Sequence, residues 1–487
     1  MVFKICTIFI VIAFSGCSGS KSPKITQIPL ASPPPLICKD DNSSLVLDEQ
    51  VLAQEMENEF PMYGKRVNDL EKFPQDISVY VNKNANNQEK IYDIQKQFEG
   101  HYYRPWSYTV APICAKEAAW PIGAFKGGYG SNLRPHDPSW FREMEIQSNF
   151  TAFSTINKSA ITTRWLNLRV LPTIKPLYKN PARPGDGYPF DLLQNSSVAF
   201  NEPIFLSHYS LDGAWAYIFT NNASGWVESN AIAVLSLEQT EFLKKKDKLF
   251  ITQDKIPLKD NNNQFVSYSR IGMVLSYSGE TAEEYKAFSV DNSGQINELR
   301  IPKDSAHIGI RFISKEELSK LGNHLLRNTY GWGGMFEERD CSSMIRDYLT
   351  PFGVWLPRNS AQQAKKGEVI YFNDLNNTQK ITLIKEKGVP FETILYKKGH
   401  VLLYVGTYDD NVMVMHNIWG VRTKDKEGIK GRVVIGKAVI STLELGIEVE
   451  DFDPSNMLLS TLSSMNIFTK PSTSFVQKKS EKKLSKL

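Results

Sequence analysis

The sequence lacks a concentrated charge of either sign, and it lacks an apolar run long enough to cross a membrane as a mature helix. Its 487 residues contain 57 Lys and Arg against 53 Asp and Glu, which gives a net charge of +4. Nucleic-acid-binding proteins normally show a concentrated basic face, so we expect no nucleic-acid partner. Hydrophobic residues make up 41% and charged residues 23%, which excludes a largely disordered chain. With 25 Pro and 30 Gly, the composition favours short strands and turns over a helical bundle.

Motifs for metals and phosphates are also missing. Among five cysteines and seven histidines there is no Cys-x-x-Cys and no His-Glu-x-x-His, the patterns typical of zinc sites. No glycine-rich loop follows a strand in the form that phosphate binding requires. Two imidazoles and a thiolate, those of His400, His416 and Cys341, would be good zinc ligands, but no other pattern supports a metal. We therefore expect neither a metal nor a cofactor.

The first residues predict a compartment. A single lysine precedes an apolar run from Ile5 to Phe14, which is followed by Ser15, Gly16 and Cys17. The run suits the core of a secretion signal, and small residues before a cysteine resemble a bacterial lipobox. Residues 1–16 are therefore predicted to be a lipoprotein signal peptide and Cys17 the lipidated residue; the alternative is an ordinary signal peptide with an incidental cysteine.

The residue after Cys17 is Ser18 rather than the Asp that typically holds such lipoproteins in the inner membrane. The resemblance therefore implies a location in the bacterial cell envelope, anchored in the outer membrane and facing the periplasm, if the host has two membranes. Residues 17–46 predict a tether that Gly and Ser keep flexible and prolines keep extended. An oxidising periplasm permits a disulfide between Cys38 and Cys114, and both being free is equally compatible with the sequence.

The remaining chain divides into five segments. Their predicted bounds are 47–155 for a helical and then irregular N-terminal domain, 156–238 and 245–305 for two β-rich domains, 310–450 for a catalytic domain, and 451–487 for a tail. Short strands alternating with turns predict that the β-rich segments are small barrels. The last segment ends in a lysine-rich run, which is typical of a solvated, frayed tail.

Four short stretches of the first β-rich segment form a recognisable set: Arg169–Thr173, Gly187–Asp191, Asp212–Trp215 and Gly225–Val227. Together they resemble the bacterial SH3-like domains that are attached to cell-wall hydrolases. The alternative interpretation is a generic small barrel with no ligand-binding role.

Cys341 is the candidate nucleophile. A glycine-rich stretch, Tyr330–Gly334, leads to Asp340 and Cys341, and the apolar spacing that follows predicts a helix that begins near Cys341. A thiol at a helix N-terminus faces unpaired N–H groups and the positive end of the helix dipole. We therefore expect a lowered pKa for this thiol, and thiolate is the competent nucleophile.

Two histidines are candidates for the base and its orienting partner. His400 stands at the start of an apolar strand, and His416 ends the next one, 16 residues later. That separation suits adjacent antiparallel strands joined by the turn at 407–411. Side by side, the two imidazoles would act as a general base, His400, and as the group that fixes its tautomer, His416.

These residues are similar in order and spacing to the blocks of the NlpC-type cell-wall cysteine peptidases, a papain-like family. Residues 356–363 also resemble the family's segment after the nucleophile helix, although Ser343 stands where Gly is often found and 373–398 is a long insertion. The resemblance implies an α+β fold, with a papain-like NlpC-type catalytic domain preceded by two small SH3-like β-barrels and a mixed N-terminal stabilising segment.

The resemblance also implies a function. It implies a peptidoglycan hydrolase, a monomer that cleaves stem peptides between D-γ-glutamate and the following diamino acid, with preference for a free N-terminal L-Ala. Asp340, Ser342 and Tyr330 are then expected to bind substrate, with Asp340 facing the ammonium group and Tyr330 the oxyanion. Two alternatives stay open, namely an amidase or acyltransferase that uses the same triad, and a non-catalytic wall-binding lipoprotein.

Overall fold

The structure, a computed structural model, describes residues 67–85 and 91–472. Cys17, Cys38 and the predicted signal peptide lie outside the described residues. Within the described part of the chain, no helix has both the length and the apolar character needed to span a bilayer. Cys114 is an exposed free thiol.

More than half of the α-helices in the described residues have fewer than eight residues. The α-helices of the described residues are α1 Asn68–Lys72, α2 Ile77–Asn84, α3 Asp93–Lys96, α4 Phe98–Tyr102, α5 Ala115–Ala118, α6 Pro121–Ala124, α7 Pro138–Gln147, α8 Leu237–Lys245, α9 Lys315–Leu325, α10 Cys341–Leu349, α11 Ser360–Gln363, α12 Asn377–Lys387 and α13 Leu458–Thr461. Side-chain caps set several of their starts, as in α8, where Ser236 accepts from Gln239 N–H and the Gln239 side chain accepts from Ser236 N–H.

The strands form three antiparallel sheets. Their bounds are β1 Lys158–Thr162, β2 Leu166–Arg169, β3 Gln194–Val198, β4 Pro203–Tyr209, β5 Trp215–Phe219, β6 Ser224–Glu228, β7 Ile232–Val234, β8 Lys248–Ile251, β9 Pro257–Asp260, β10 Phe265–Tyr268, β11 Val274–Glu280, β12 Glu284–Val290, β13 Ile296–Pro302, β14 Ala306–Ile308, β15 Glu368–Tyr371, β16 Thr393–Lys397, β17 His400–Tyr408, β18 Asn411–Lys424, β19 Lys430–Thr442 and β20 Ser464–Ile467.

The first two sheets have the same topology. The first has the order β3-β2-β6-β5-β4-β1-β7 and the second the order β10-β9-β13-β12-β11-β8-β14, so the strands correspond one to one along the chain. Each sheet encloses its own apolar core, around Leu168 and Ile204 in the first and around Leu249 and Leu299 in the second. The second sheet ends with β14, which pairs with β8 and lies beyond the predicted boundary at residue 305.

The third sheet has the order β15-β20-β16-β17-β18-β19 and carries apolar clusters on both faces. Helix α10 packs on one of them, with Ile345 and Leu349 completely buried beside Leu403 and Met415. Burial of both faces explains the nearly continuous apolar sequence of β17.

The predicted tail at 451–487 is wrong over its first half. Strand β20 lies between β15 and β16, and its residues Met465 and Ile467 are buried in the third sheet. The catalytic domain therefore extends at least to residue 467. The error arose because a four-residue strand next to a long lysine-rich run carries little periodic signal of its own.

The N-terminal helices also contribute to the catalytic core. Ile77, Tyr80 and Val81 of α2 are completely buried in the cluster that contains Cys341 and α9. Gly322 of α9 permits this approach, since a Cβ at that position would lie 2.6 Å from Cγ2 of Ile77.

Candidate active site

Helix α10 begins at Cys341, as the sequence predicts. Asp340 is its N-cap: its Oδ1 accepts from Ser343 N–H at 2.9 Å, while the Ser343 hydroxyl accepts from Asp340 N–H at 2.9 Å. This reciprocal cap fixes where the helix starts and therefore where the sulfur lies.

The sulfur of Cys341 lies at the start of β17. The backbone N–H groups of Val401 and Ser342 hydrogen-bond the sulfur, and Val401 directly follows His400. Helix α10 and strand β17 thus place the thiol against the residue that directly follows the predicted base in the chain.

The predicted direction of the thiol pKa is wrong. Cys341 is only 8% exposed, and burial raises the pKa of its thiol to about 12. The negative charge of Asp340 raises the pKa further, and the hydrogen bonds from Val401 and Ser342 and the Arg358 charge do not compensate. Loss of solvation outweighs the helix N-terminus, so the resting sulfur is a protonated thiol.

The two histidines are diagonal neighbours on β17 and β18. The register pairs Leu403 with Met415, which places His400 and His416 two positions apart across the strands, with ring centroids 5.1 Å apart. His400 Nε2 lies 2.9 Å from His416 Nδ1. The predicted pairing of these imidazoles on adjacent antiparallel strands is therefore present in the structure.

A chain of hydrogen bonds assigns the tautomers of both rings. The Ser441 hydroxyl donates its single proton to the Thr442 carbonyl at 2.8 Å, so its oxygen accepts from His416 Nε2–H at 2.9 Å. His416 Nδ1 is then the acceptor of the His400 Nε2–H bond, at 2.9 Å. This leaves Nδ1 of His400 as an unprotonated nitrogen with a free lone pair, the state that a general base requires.

His400 is neutral at rest. Burial lowers its pKa to about 3, with a further decrease from the positive charge of Lys397, and the Asp340 charge opposes this only in part. Burial and the neighbouring His400 lower the pKa of His416 well below its usual value. Cys341 and His400 are therefore both neutral at pH 7, and the resting site holds no thiolate–imidazolium ion pair.

Asp340 and Ser342 lie in a buried network with Arg358. Arg358 donates to both oxygens of Asp340, at 3.1 Å to Oδ1 and 2.5 Å to Oδ2, and to the Ser342 hydroxyl at 2.8 Å. This ion pair keeps the pKa of Asp340 below its usual value despite burial. The Oδ1 atom accepts four hydrogen bonds, whereas Arg358 is the single described donor to Oδ2, which leaves capacity for a further donor.

Tyr330 borders a cleft of about 200 Å³ that also reaches His400. Its ring lies 5.9 Å from the Trp419 ring, and burial raises the pKa of its phenol well above the usual value, so the hydroxyl stays protonated. The turn after Tyr330 packs on the first sheet, where the Trp332 indole donates to the Asp191 carbonyl at 2.9 Å. Gly334 has φ +82°, and a Cβ there would lie 2.3 Å from Ser197 Oγ, which explains a glycine at this contact.

Three parts of the sequence match known protein families. Residues 327–430 match the NlpC/P60 family, residues 6–153 match the N-terminal stabilising domain of NlpC/P60 proteins, and residues 176–228 match an SH3 domain of the SH3b1 type. The chain carries an NlpC/P60 domain. No curated protein matches the sequence.

One solved structure shares the fold over most of the chain, and a second shows a lower similarity. An NlpC/P60 endopeptidase from Photobacterium damselae subsp. piscicida is 24% identical and has a TM-score of 0.72, over 82% of this chain and 98% of that one. An NlpC/P60 family protein from Bacillus cereus ATCC 10987 is 14% identical and has a TM-score of 0.39, over 57% of this chain and 83% of that one. The predicted family resemblance and the mixed α and β fold class are confirmed, and the SH3 match lies within the first of the two predicted barrels. An NlpC/P60 domain implies a cysteine peptidase or amidase of the cell-wall hydrolase class.

The NlpC/P60 domain contains site residues that the sequence reasoning missed. Ser441 completes the hydrogen-bond chain behind His416, and Arg358 neutralises Asp340. Arg358 lies in the segment 356–363, whose resemblance to the family could have indicated that Arg358 belongs to the site. Ser441 carried none, since a serine in a strand acquires this role only through the register of β18 and β19.

Proposed function

We propose that the protein is a peptidoglycan hydrolase, a cysteine endopeptidase that cleaves stem peptides between D-γ-glutamate and the diamino acid. Cys341 is the nucleophile, His400 the general base, and His416 the group that orients it. The observation that carries this assignment is the hydrogen-bond chain from Thr442 to His400, which leaves the base nitrogen Nδ1 unprotonated at the strand start that contacts the thiol.

The neutral resting pair determines how the reaction begins. His400 Nδ1 accepts the proton of the Cys341 thiol as the sulfur attacks the γ-carbonyl carbon of the substrate, which forms a tetrahedral oxyanion. The Tyr330 hydroxyl and the Cys341 backbone N–H donate to that oxyanion. The C–N bond then breaks, and the amine of the diamino acid leaves with the proton held by His400.

Water completes the turnover. His400 removes a proton from a water molecule, which attacks the thioester carbon, and Cys341 leaves as a thiol when the proton returns to sulfur. The imidazolium that forms twice in this cycle lies near the carboxylate of Asp340, whose charge raises the pKa of His400. Asp340 thus stabilises the charged form of the base each time it forms, although burial keeps the resting imidazole neutral.

Asp340 is also proposed to bind the free N-terminal ammonium group of the substrate. Its Oδ2 atom has capacity for a further donor, and the ammonium would interact with a charge that Arg358 already holds in place. Ser342 fixes the same carboxylate from the side, with its hydroxyl 3.2 Å from Oδ1. The first sheet, which borders the turn after Tyr330, would shield this interaction from water.

Location follows from the N-terminal sequence. We propose that the protein acts at the bacterial cell envelope and that a lipid on Cys17 anchors it to a membrane. The expected mark is an acylated N-terminal peptide beginning at Cys17 in protein extracted from membranes. Recovery of this peptide without acyl groups would contradict the anchor and leave the enzymatic proposal unaffected.

Incubation of the purified protein with a stem tripeptide, L-Ala-γ-D-Glu-diamino acid, tests the activity. We expect L-Ala-D-Glu and the free diamino acid, identified by mass spectrometry, and loss of at least about 10³-fold in rate for Cys341→Ala. Cys114→Ala is the matched control, because Cys114 is also a free thiol but is exposed, and it should retain full activity.

Other products identify the other functions. Release of an intact stem peptide from the glycan would indicate an amidase, and a transferred acyl group would indicate an acyltransferase. No product from any stem peptide would contradict the peptidase assignment. Ser441→Ala should reduce kcat about 10-fold and leave KM unchanged, since His416 then lacks the acceptor that fixes its tautomer.

A further inference from the structure

Strands β18 and β19 continue well beyond His416 and place two arginines face to face. In the register of this pair Arg422 is directly opposite Arg432. Like charges at directly opposed positions of an antiparallel pair are destabilising, because their side chains lie on the same face within a few ångströms. An anion bound between the two side chains would relieve this repulsion.

No described carboxylate fills that place. Arg432 forms no ion pair or hydrogen bond with any described side chain, and its Nε atom is buried without a partner. Its guanidinium lies over an aromatic face, 5.5 Å from the centre of the Phe190 ring, and near the backbone of Gly185, and neither of these supplies a negative charge. A buried donor without an acceptor is costly, and it points to a ligand that supplies the acceptor.

The arginines border the same cleft as the proposed base. Arg422 and Arg432 line it together with His400 and Lys397, and no acidic side chain is among its lining residues within the described chain. Asp186 and Asp453 line the adjoining groove, but neither is within ion-pair distance of the arginines. Lys397 adds a third positive charge; its Nζ donates to the Asn456 carbonyl at 3.1 Å, and burial and Arg422 lower its pKa to about 8.

We propose that Arg422 and Arg432, assisted by Lys397, form a carboxylate-binding subsite for an anionic peptide substrate. This inference rests on the proposed function, which supplies the chemistry of the ligand: a γ-linked glutamate keeps its α-carboxylate free, and a diamino acid carries carboxylates of its own. Guanidinium groups bind planar carboxylates through two parallel hydrogen bonds, so the opposed arginines can hold one from both sides. Binding also removes the repulsion between the two arginines.

Amidated substrates test the subsite. The stem tripeptide is compared with analogues in which the α-carboxylate of D-Glu, or a carboxylate of the diamino acid, is replaced by an amide. For the wild-type protein we expect one of these replacements to lower kcat/KM by about 30-fold, the usual size for loss of a charge-assisted hydrogen bond. In Arg432→Gln, kcat/KM for the free acid should fall by a similar factor. For the affected amide, kcat/KM should be nearly the same in Arg432→Gln as in the wild-type protein.

The subsite is therefore supported if Arg432→Gln cleaves the acid and the amide with nearly equal kcat/KM. Unchanged discrimination in Arg432→Gln and in Arg422→Gln would overturn the subsite, as would equal cleavage of all peptides by the wild-type protein. Arg164→Gln is the control, since Arg164 is paired with Glu228 on the first sheet at 2.6 Å and does not line the cleft. The melting temperature of Arg432→Gln should not fall, because the variant removes a like-charge contact; Arg432→Lys serves as a second variant if folding is impaired.

A binding measurement distinguishes failure of the proposed function from failure of the subsite. If the wild-type protein cleaves no peptide, calorimetric titration of the Cys341→Ala protein with the tripeptide and its amides still measures the subsite. If Cys341→Ala binds one amide more weakly than the free acid, and the double variant Cys341→Ala/Arg432→Gln binds both equally, the subsite is supported even without the activity. Equal binding of the acid and both amides overturns it.

Discussion

The two seven-stranded sheets have the same strand order, yet they contact the catalytic domain through different chemistry. The first sheet uses neutral groups at the cleft: the Asp191 carbonyl accepts from the Trp332 indole, and the Gln194 side chain donates to the Gly333 carbonyl at 3.1 Å. Where it meets charged groups of the site it also offers neutral partners: the Ser196 hydroxyl accepts from Arg358 Nε at 2.8 Å, and the Phe190 ring lies 5.5 Å from the Arg432 guanidinium.

The second sheet uses buried charges. Arg339, which is 1% exposed, donates to Asp254 at 2.6 and 2.8 Å and to Asp347 of α10 at 2.8 Å. Arg270 approaches the same Asp347 at 3.2 Å, and these neighbours keep the pKa of Asp347 below its usual value. Two charged groups of the second sheet, Asp254 and Arg270, are thus tied to the helix that carries the nucleophile.

The difference shows that one topology can serve two purposes. We infer that the neutral contacts at the cleft mouth serve the first sheet in selecting the substrate, and we expect their loss to change stability little. A buried ion network holds α10 rigidly, and its loss is severe because each remaining charge is left without a partner. The SH3 match at 176–228 lies in the first sheet, and we infer from the shared topology that the second sheet is a domain of the same class.

Breaking the ion network should have the largest effect. Arg339→Met leaves Asp254 without its cation and Asp347 with Arg270 and Arg346 as partners, so we expect a loss of about 3–5 kcal/mol in the free energy of unfolding. Denaturant unfolding followed by tryptophan fluorescence measures it. Asp254→Asn keeps the shape of the side chain and should lose less, which provides a measurable variant if Arg339→Met does not fold.

The matched control is an exposed ion pair on the first sheet. Arg164 and Glu228 are 2.6 Å apart, but both side chains are about half exposed, so Arg164→Met should cost less than about 1 kcal/mol. Similar losses for Arg339→Met and Arg164→Met would contradict the distinction between the two sheets.

A buried histidine should make the stability of the second sheet depend on pH, with an effect between those of the buried ion network and the exposed ion pair. Burial lowers the pKa of His307 in β14 from 6.5 to about 4. The unfolded chain therefore binds the proton more tightly, so stability is complete above about pH 6.5 and is lost as the pH falls towards 4. Between pH 7.5 and 4.5 this single group should account for a loss of about 2–3 kcal/mol.

His307→Asn tests this assignment through the pH dependence of stability. The variant should flatten the dependence of the unfolding free energy on pH below 6.5, whatever its stability at neutral pH. His208 of the first sheet is the comparison, because burial also lowers its pKa, and His208→Asn should flatten the profile in the same direction. A profile for His307→Asn that parallels the wild type would rule out this role.

Much of the site was predictable because its residues lie in short, local patterns. The start of α10 at Cys341 and the pairing of β17 with β18 each depend on a few neighbouring residues, and helix caps and strand periodicity report these directly. The long insertion before His400 was visible as well, and it forms α12 and β16.

The rest depends on groups that are distant in the chain. The thiol pKa was predicted from the helix N-terminus alone, but its direction is set by burial, which requires the packing of β17 on α10. The ion network joins Asp254 to Arg339, 85 residues apart, and no local pattern reports such a contact. Strand β20 was missed for the same reason, since its partners β15 and β16 precede it by about 70 to 100 residues.

The smallest expected effect lies at the first sheet, where it should be kinetic rather than energetic. Ser196→Ala removes the acceptor of Arg358 Nε, which stays paired with Asp340, so the free energy of unfolding should fall by only about 1 kcal/mol. Because Asp340 is the proposed partner of the substrate ammonium, KM for the tripeptide should rise several-fold while kcat changes little, and the preference over an N-acetylated tripeptide should weaken. Ser305→Ala in the second sheet removes an equally buried hydroxyl, one that donates to the Pro302 carbonyl at 2.8 Å, and should cost similar stability with no change in KM. If both variants change KM alike, or neither does, the first sheet has no special part in selecting the substrate.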